Sequence, residues 1–389
     1  MKIAIYWIGK DYGGVEEILK NLLNSWPCNK DEFFLFTNVN SNFGYLRFQK
    51  KFIFKKVFNI LPDWNKNDFL IFKIIKYLFF PLFFLKFYNQ TYKEISETKI
   101  NFDILIVNNG GYPGSWKSMS SLKSAVDLGI KKIFLLVHHG AVHDKFMFRT
   151  GEKYLDKKIQ DWATKVIAIS KATKNTLINN RKFNKRKIVI IHNGINPIKK
   201  KKFKIKNKKI FYIGILGRIE SYKGHDNILR AMSLLKTEKK LNIQFLIAGK
   251  FVSNFEKKRI INLINQYDLK KNVKFLGYIP ENRLRFFYSK LNLFFSITKD
   301  FEGFGLTILE AINNRVPVVC TNVGAVREFV DKKMVSFVKP NDPVSLRNVI
   351  NKYFNNPKYF IKKTNHAYKI RYKFSSKNMA MKYYNEINR

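Results

Sequence analysis

Twelve short apolar runs alternate with amphipathic stretches along this chain, and this alternation limits its fold more than any other feature. Each run is continuously apolar, as expected for strands whose two faces are both covered by helices. A chain of 389 residues is too long for one ordinary hydrophobic core. We therefore predict two doubly wound α/β domains, each with a parallel sheet. The predicted strands are 2–8, 32–37, 102–109, 131–139, 165–170, 187–194, 210–217, 243–249, 272–279, 291–297, 316–321 and 334–339.

A lysine-rich segment with one proline, 197–209, separates the two sets of strands and is typical of a solvated linker. The predicted domains are 1–196 and 210–370. The last residues, 371–389, are predicted to form a helix that packs back on the N-terminal domain. Ligands of doubly wound sheets bind beyond the carboxyl ends of the strands, so the expected site is the cleft between the domains.

The net charge is extreme, at +45 from 73 basic and 28 acidic residues. Such a charge bears on partners and not on fold, and it leaves nucleic acid, an anionic membrane and anionic small molecules open. The frequency of Lys, Asn, Ile and Phe also fits an AT-rich genome, which would place lysines on the surface without a functional cause. A nucleic-acid-binding protein is one alternative, although no helix-turn-helix, RNP-type or zinc pattern supports it.

Segment 45–93 interleaves aromatic and aliphatic residues with ten Lys or Arg against two Asp. This composition suits an anionic leaflet, and the alternative is a set of ordinary covering helices with snorkelling lysines. Its most apolar part, 69–88, has the length of a membrane span, but three lysines interrupt it and Pro81 would kink it. We therefore expect peripheral association with an anionic membrane surface and no spanning helix.

Two further features bear on location. Cys28 and Cys320 lie in no disulfide or metal-ligand pattern, which favours a reducing compartment. The N-terminus lacks the charged, apolar and small-residue order of a secretion signal. We expect a cytoplasmic protein on the inner face of the cytoplasmic membrane.

Two loops that follow predicted strands suit a phosphate ligand. After the first strand, Gly13 and Gly14 open a helix and would let backbone N–H groups approach a ligand, although an ordinary tight turn is the alternative. No G-x-G-x-x-G supports a dinucleotide. After the strand that ends near residue 216, Arg218 and Lys223 flank a short loop at a helix start. Two cations so placed suit a diphosphate, and the alternative is two solvated charges.

The stretch DFEGFGLTILEAINN places one glutamate on each side of a helix start. Glu302 precedes a Gly-Phe-Gly turn, whose N–H groups would face a ligand above the helix. Glu310 lies inside the helix after an apolar pair, and a partly buried carboxylate needs a partner such as a ligand hydroxyl. The alternatives are a helix contact from Glu310 to Asn314 or Arg315, and an exposed loop acid at Glu302 that favours the helix dipole.

The sequence VHHGAVHDK closes a strand of the first domain. Alternation would point one of His138 and His139 into the cover of the sheet and the other outward. His143 with Asp144 suits an acceptor contact or a helix cap. A zinc site has no support, because Cys ligands are absent and the histidines bunch in one loop. The absence of any D-x-D triplet also gives no support to a metal-held diphosphate.

The stretch EGFGLTILEAINNRVPVVCTNVGAVREFV resembles the E-x7-E signature of retaining glycosyltransferases of the GT-B fold, family four. The segments GRIESYKG, FLIAGK and VKFLGYIP match the preceding landmarks of that family in order and spacing. The Gly-Gly loop and HNGIN match as well. The resemblance covers nearly the whole chain, most strongly over 210–330 and least over 40–100. It departs from the family at Arg315 and Ala325, where glycine is usual.

The resemblance implies two Rossmann-like domains that face each other across a cleft. It implies transfer, with retention, of a hexose-type sugar from a UDP-sugar, or next a GDP-sugar, to a glycan or lipid-linked acceptor. The expected setting is the synthesis of surface polysaccharide, lipopolysaccharide or capsule, with no metal and no cofactor beyond the donor substrate. A nucleotide-sugar epimerase or hydrolase on the same fold is the alternative.

The resemblance also implies a role for each matching residue. Glu310 would accept hydrogen bonds from the ribose, and Glu302 would orient the transferred sugar. Arg218 and Lys223 would neutralise the leaving diphosphate in an oxocarbenium-like transition state. The other implied contacts are backbone amides of Gly303, Phe304, Gly305 and Leu306 at the sugar, those of Leu306 and Thr307 at the distal phosphate, Ile279 at the base, Gly14 at the donor, and His139, favoured over His138, at the sugar.

Overall fold

The computed structural model describes residues 1–9, 13–38, 52–56, 79–143, 149–198, 210–238 and 242–389. The chain forms two compact units. Unit 1 is Met1–Gly194 with Ser376–Arg389, and unit 2 is Ile195–Ser375. Each unit contains a parallel sheet with flanking helices, which confirms the predicted pair of parallel α/β sheets.

Unit 1 has a sheet whose described strands follow the order β3-β2-β1-β4-β5-β6-β7, with all neighbours parallel. The strand order reverses between β1 and β4. The edge strand β3 was not predicted, because lysines interrupt its short apolar run. The strands are β1 Lys2–Trp7, β2 Glu32–Thr37, β3 Phe52–Lys56, β4 Ile104–Asn109, β5 Lys132–Val137, β6 Lys165–Ala168 and β7 Ile188–Ile190.

Helices of unit 1 pack on this sheet through apolar faces and through buried polar contacts. They are α1 Gly14–Asn24, α2 Phe80–Ser96, α3 Trp116–Asp127, α4 Arg149–Trp162 and α5 Lys171–Arg181. Among the polar contacts is a network between α2, α3 and β1. The ammonium of the fully buried Lys117 in α3 donates to Glu94 Oε1 of α2 at 2.8 Å. Tyr6 of β1 donates its hydroxyl to Glu94 Oε2 at 2.6 Å. Because a buried charge needs a partner, these contacts fix α2 and α3 against the sheet.

Unit 2 has a sheet whose described strands follow the order β10-β9-β8-β11-β12-β13, again all parallel. Its strand order reverses between β8 and β11. The strands are β8 Phe211–Leu216, β9 Ile243–Ala248, β10 Val273–Gly277, β11 Leu293–Ser296, β12 Val318–Thr321 and β13 Ser336–Val338. The helices are α6 His225–Glu238, α7 Asn254–Gln266, α8 Glu281–Lys290, α9 Leu306–Asn313, α10 Pro343–Asn355 and α11 Pro357–Ala367.

The C-terminal helix, α12 Ser376–Ile387, belongs to unit 1. The side chains of Tyr383 and Ile387 are fully buried. Lys132 Nζ, at the start of β5, donates to the carbonyl oxygen of Ile387 at 2.8 Å. The chain therefore returns after unit 2 to complete the cover of the first sheet.

Some of the predicted features fall outside the described residues. These are most of the linker (199–209), most of the basic and aromatic segment (45–51 and 57–78) and Asp144. In the part of the chain that is described, no helix combines the length and the apolar character needed to cross a bilayer.

Arg315 occupies a position that requires left-handed backbone. It follows the last turn of α9 with φ of 54°, and a left-handed residue at this position commonly ends a helix as glycine. Its guanidinium lies 3.9 Å from the centroid of the Tyr368 ring, and Nη1 donates to Asn365 Oδ1 at 3.0 Å. These contacts offset the backbone cost, which explains how this chain replaces the glycine usual in the family it resembles.

We expect Arg315→Ala to destabilise unit 2 by about 1–2 kcal/mol, because it loses the ring contact and keeps the positive φ. Arg315→Gly loses the same contact but relieves the backbone, so it should be more stable than the alanine variant by about 1 kcal/mol. Urea unfolding of both variants in parallel measures the difference. Equal stability of the two variants would show that the backbone at Arg315 is not strained.

Candidate functional site

The reversal of strand order between β8 and β11 defines a crevice at the carboxyl edge of the sheet in unit 2. The loop after β8 carries Arg218 and Lys223, and the loop after β11 carries Glu302. The two loops leave adjacent parallel strands at the same edge, so the predicted cations and the predicted sugar carboxylate come together.

Lys223 and Glu302 form an ion pair across this crevice. Lys223 Nζ donates to Glu302 Oε2 at 2.9 Å, and Thr298 Oγ1 donates to the same oxygen at 2.8 Å. The side chain of Lys223 is 23% exposed and that of Glu302 is 16% exposed, so Glu302 is not an exposed loop acid. Burial lowers the pKa of Lys223, but the Glu302 carboxylate and Tyr222 raise it, and the pKa ends above its ordinary value. Lys223 therefore keeps its positive charge.

Backbone contacts hold Glu302 from behind. Gly324 has φ of 56°, and a Cβ there would lie 2.1 Å from the carbonyl oxygen of Glu302. The next residue, Ala325, donates its N–H to the same carbonyl oxygen at 2.9 Å. Since the contact uses the main chain, alanine at 325 preserves it although glycine is usual in the family. Only glycine fits at 324, and no local sequence pattern marked Gly324 as part of the site.

The start of α9 presents backbone N–H groups at this crevice. Gly305, with φ of 97°, precedes the helix, and no side chain caps it. The N–H groups of Leu306 and Thr307 stand in the first turn, where helical amides have no partner within the helix and favour an anion. The ring of Phe304 stacks on Phe329 with centroids 5.0 Å apart, which anchors the turn. The buried residues of the turn are Gly303, Phe304 and Gly305.

Glu310 has a partner that the sequence did not indicate. Tyr288 of α8 donates its hydroxyl to Glu310 Oε2 at 2.8 Å. Burial raises the pKa of Tyr288 well above its usual range and the Glu310 carboxylate raises it further, so the hydroxyl keeps its proton. Asn314 donates from its backbone N–H and from Nδ2 to the Glu310 carbonyl oxygen, and Arg315 Nη1 donates to Asn365 Oδ1. No periodicity or motif marks a tyrosine on the neighbouring helix as this partner.

Arg218 and Ile279 extend the site along the same edge. The Arg218 side chain is 67% exposed, and its Nη2 donates to the Tyr222 hydroxyl at 3.1 Å. Ile279 is half-buried in the loop between β10 and α8. The strand order places the β10 loop, the β8 loop and the β11 loop successively along the edge, with the end of β9 between the first two.

In unit 1, Gly14 is the first residue of α1 and is exposed. The N–H of Gly13 donates to the Glu16 side chain of the same helix. This contact is an internal cap, of the kind that stabilises a helix start without a ligand. The donor-binding role of Gly14 stays a prediction.

The paired histidines of unit 1 have different environments. His138 is buried at the carboxyl end of β5, and its Nε2 lies 2.7 Å from Asn108 Oδ1. Burial lowers the pKa of His138 to about 4, so the ring is neutral near pH 7. His139 and His143 are exposed. Alternation thus directs one histidine inward, and the role of His139 toward a sugar stays a prediction.

We expect the His138 ring to remain uncharged down to about pH 5.5, whereas a solvated histidine has a pKa of about 6.5. Since its folded pKa of about 4 lies below the unfolded value, its contribution to stability is complete above pH 6.5 and is lost as the pH falls toward 4. His225, with a pKa lowered by burial to about 3, acts in the same direction in unit 2.

An NMR titration of the six histidines tests this, with the His138 signal assigned by its loss in His138→Gln. The matched control is His139→Gln, which removes the exposed neighbour and should leave that signal unchanged. A His138 midpoint between about pH 6 and 7 would contradict the buried, neutral assignment.

Comparison with known proteins agrees with this architecture. Residues 12–199 match the family described as "Glycosyltransferase Family 4", and residues 196–373 match "Glycosyl transferases group 1". The O-antigen biosynthesis glycosyltransferase WclY of Escherichia coli is 29% identical over 208 residues, which cover 51% of this chain and 55% of that protein. The capsular polysaccharide biosynthesis glycosyltransferase CapM of Staphylococcus aureus is 28% identical over 221 residues, covering 52% and 55%. The chain thus spans about half the length of these curated relatives.

Among solved structures, the Anabaena HepE protein in complex with UDP-glucose superposes with a TM-score of 0.75. The alignment covers 100% of this chain and 99% of that protein at 16% identity. The superposition establishes a common fold. Because the identity is only 16%, the ligand of this chain has to be argued from its own residues.

Proposed function

This chain belongs to family four of the glycosyltransferases, which have the GT-B fold, and we propose that it transfers a sugar from a nucleotide diphosphate sugar. The sugar is of the hexose type, the anomeric configuration is retained, and the acceptor is a glycan or a lipid-linked glycan. The observation that carries the proposal is the Lys223–Glu302 pair at the strand-order reversal, beside the first turn of α9. Cations and helical N–H groups lie there beside a carboxylate. The positive groups suit a negatively charged leaving group, and the carboxylate suits the hydroxyl groups of a sugar.

The leaving diphosphate accounts for the positive groups. Glycosyl transfer passes through an oxocarbenium-like state while negative charge grows on the diphosphate. Fixed positive charge in a partly desolvated crevice stabilises that charge without reorganisation. Arg218, Lys223 and the amides of Leu306 and Thr307 are the groups we assign to it.

The two carboxylates account for the ends of the donor. Glu302, held by Lys223 and Thr298, would orient hydroxyls of the transferred sugar together with the amides of the Gly-Phe-Gly turn. Glu310, whose Oε2 accepts from Tyr288, would accept from the ribose hydroxyls. The base would lie near Ile279, toward the β10 end of the same edge.

UDP is the first candidate for the nucleotide and GDP the second. The Anabaena protein of the same fold was solved with UDP-glucose, which supports UDP. The relatives named for O-antigen and capsule biosynthesis support a surface polysaccharide or lipopolysaccharide as the product. A cytoplasmic location on the inner face of the membrane would give access to both a nucleotide sugar and a lipid-linked acceptor.

Calorimetry against UDP-, GDP- and ADP-sugars tests the donor assignment. We expect one nucleotide class to bind, and Glu310→Ala to weaken that binding by about 1–3 kcal/mol, because ribose hydroxyls would lose their acceptor. Asp268→Ala is the matched control, since Asp268 is an exposed carboxylate before β10, at the opposite edge of the sheet. If the folded wild type bound none of these nucleotide sugars, the donor site would be excluded. If Glu310→Ala bound with unchanged affinity, the ribose role of Glu310 would be excluded. Turnover of the donor without any acceptor would instead indicate an epimerase or hydrolase.

The exposed face of α2 supports an anionic membrane surface as a partner. Leu82 and Leu85 are 62% and 52% exposed, and Phe79 before the helix is also exposed. Lys86 and Lys93 lie on the same face; Lys93 also pairs with the exposed Glu97 just after the helix, at 3.6 Å. The buried face, which includes Phe87, points the other way onto α3. Leucine and aromatic side chains beside lysines suit the boundary of an anionic leaflet, where both apolar burial and charge attraction favour binding.

We expect wild-type protein to co-sediment with vesicles that contain phosphatidylglycerol and far less with pure phosphatidylcholine vesicles. Leu82→Asp with Leu85→Asp should weaken the binding at least about tenfold, since two leucines would no longer enter the leaflet. Phe255→Asp, at an exposed apolar position of unit 2, is the matched control. Unaltered sedimentation of the double variant would exclude α2, and a wild-type dimer that the double variant abolishes would identify this face as a self-association surface.

A further inference from the structure

Tyr222 lies between the two cations assigned to the diphosphate. It stands in the short 3-10 turn Ser221–Lys223 and is half-buried. Its hydroxyl accepts a hydrogen bond from Arg218 Nη2 at 3.1 Å, and the Lys223 ammonium lies 5.0 Å from the centroid of its ring. Both cations of the site therefore contact one aromatic side chain.

The backbone of Tyr222 is fixed from the other side of the crevice. Its carbonyl oxygen accepts the N–H of Lys299 at 2.7 Å, and Lys299 lies on the loop after β11. Lys299 Nζ in turn donates to Asp226 Oδ2 in the first turn of α6 at 2.8 Å. The backbone of Tyr222 is thus attached to the same loop that carries Glu302.

Each cation has a carboxylate nearby, Glu302 at 2.9 Å from Lys223 and Glu220 at 3.7 Å from Arg218. A long, exposed side chain such as Arg218 still loses rotamer freedom when a ligand holds it in place. The Tyr222 hydroxyl restricts the exposed Arg218, while the negative face of the ring attracts the Lys223 ammonium. An oriented pair of cations binds a diphosphate with less ordering cost than two mobile ones.

We propose that Tyr222 is a positioning residue that sets Arg218 and Lys223 for a diphosphate. This inference rests on the proposed donor function. We expect Tyr222 to affect diphosphate binding more than monophosphate binding, because the two cations are assigned to the leaving diphosphate. Tyr222 itself does not need to touch the ligand.

The test compares UDP with UMP, and GDP with GMP, by calorimetry on the full chain. We expect Tyr222→Phe to weaken diphosphate binding about fivefold through loss of the hydroxyl, and to change monophosphate binding less than about twofold. Tyr222→Leu, which also removes the ring, should weaken diphosphate binding by about a further threefold. Tyr372→Phe is the matched control, since the exposed Tyr372 hydroxyl accepts from Arg371.

A double-mutant cycle separates positioning from general destabilisation. If Tyr222 acts through Arg218, then Tyr222→Phe should have no effect on diphosphate affinity in an Arg218→Ala background. The same loss in that background, or equal losses for UDP and UMP, would overturn the inference while leaving the donor function intact. A folded wild type that binds none of the four nucleotides would overturn the donor function and this inference together.

Discussion

The ion pair between Lys223 and Glu302 is the contact on which the candidate site depends. It joins the loops that leave β8 and β11, the two strands between which the order of the sheet reverses. A partly buried ion pair adds little net stability, because desolvation cancels much of the attraction. Its main effect is therefore geometric: it holds the cation proposed for the diphosphate beside the carboxylate proposed for the transferred sugar. The hydrogen bond from Lys299 to Tyr222 repeats the connection through the backbone.

Buried carboxylates of this chain take tyrosine hydroxyls as partners in both units, but with different consequences. Asp156 in α4 accepts from Tyr112 and, on both of its oxygens, from Arg181 at 2.8 and 3.0 Å. A guanidinium fork that engages both oxygens leaves a carboxylate largely structural. Glu310 accepts from the neutral Tyr288 hydroxyl at Oε2. Since an ionised carboxylate offers about four acceptor positions, this hydrogen bond orients Glu310 and is compatible with the ribose contacts we propose.

The sequence predicted the sheets well because their strands are continuous apolar runs, and it predicted the edge of the site because ligands gather where strand order reverses. It did not predict β3, whose lysines interrupt the apolar run, nor Tyr288, because a contact between neighbouring helices leaves no local pattern. In the sequence, Gly324 appears only as one residue of a family motif. The steric reason for glycine there becomes clear only from the position of the Glu302 carbonyl oxygen in the fold. Local patterns thus predicted the groups of the candidate site, and their roles stay a prediction, whereas the partners that hold them depend on tertiary packing.

The charge of +45 and the chemistry of the site are separate properties of this chain. Salt screens exposed charges over about 8–10 Å, so dispersed surface lysines act on large anionic partners such as a membrane and fade as ionic strength rises. Lys223 differs from them because it is largely buried, paired with a carboxylate and placed beside a helix start. Lys117 and Arg181 are buried too, but their carboxylate partners lie within unit 1 and leave them structural. What distinguishes Lys223, the cation proposed for the diphosphate, is therefore its position at the strand-order reversal, a property of the fold that no count of basic residues can supply.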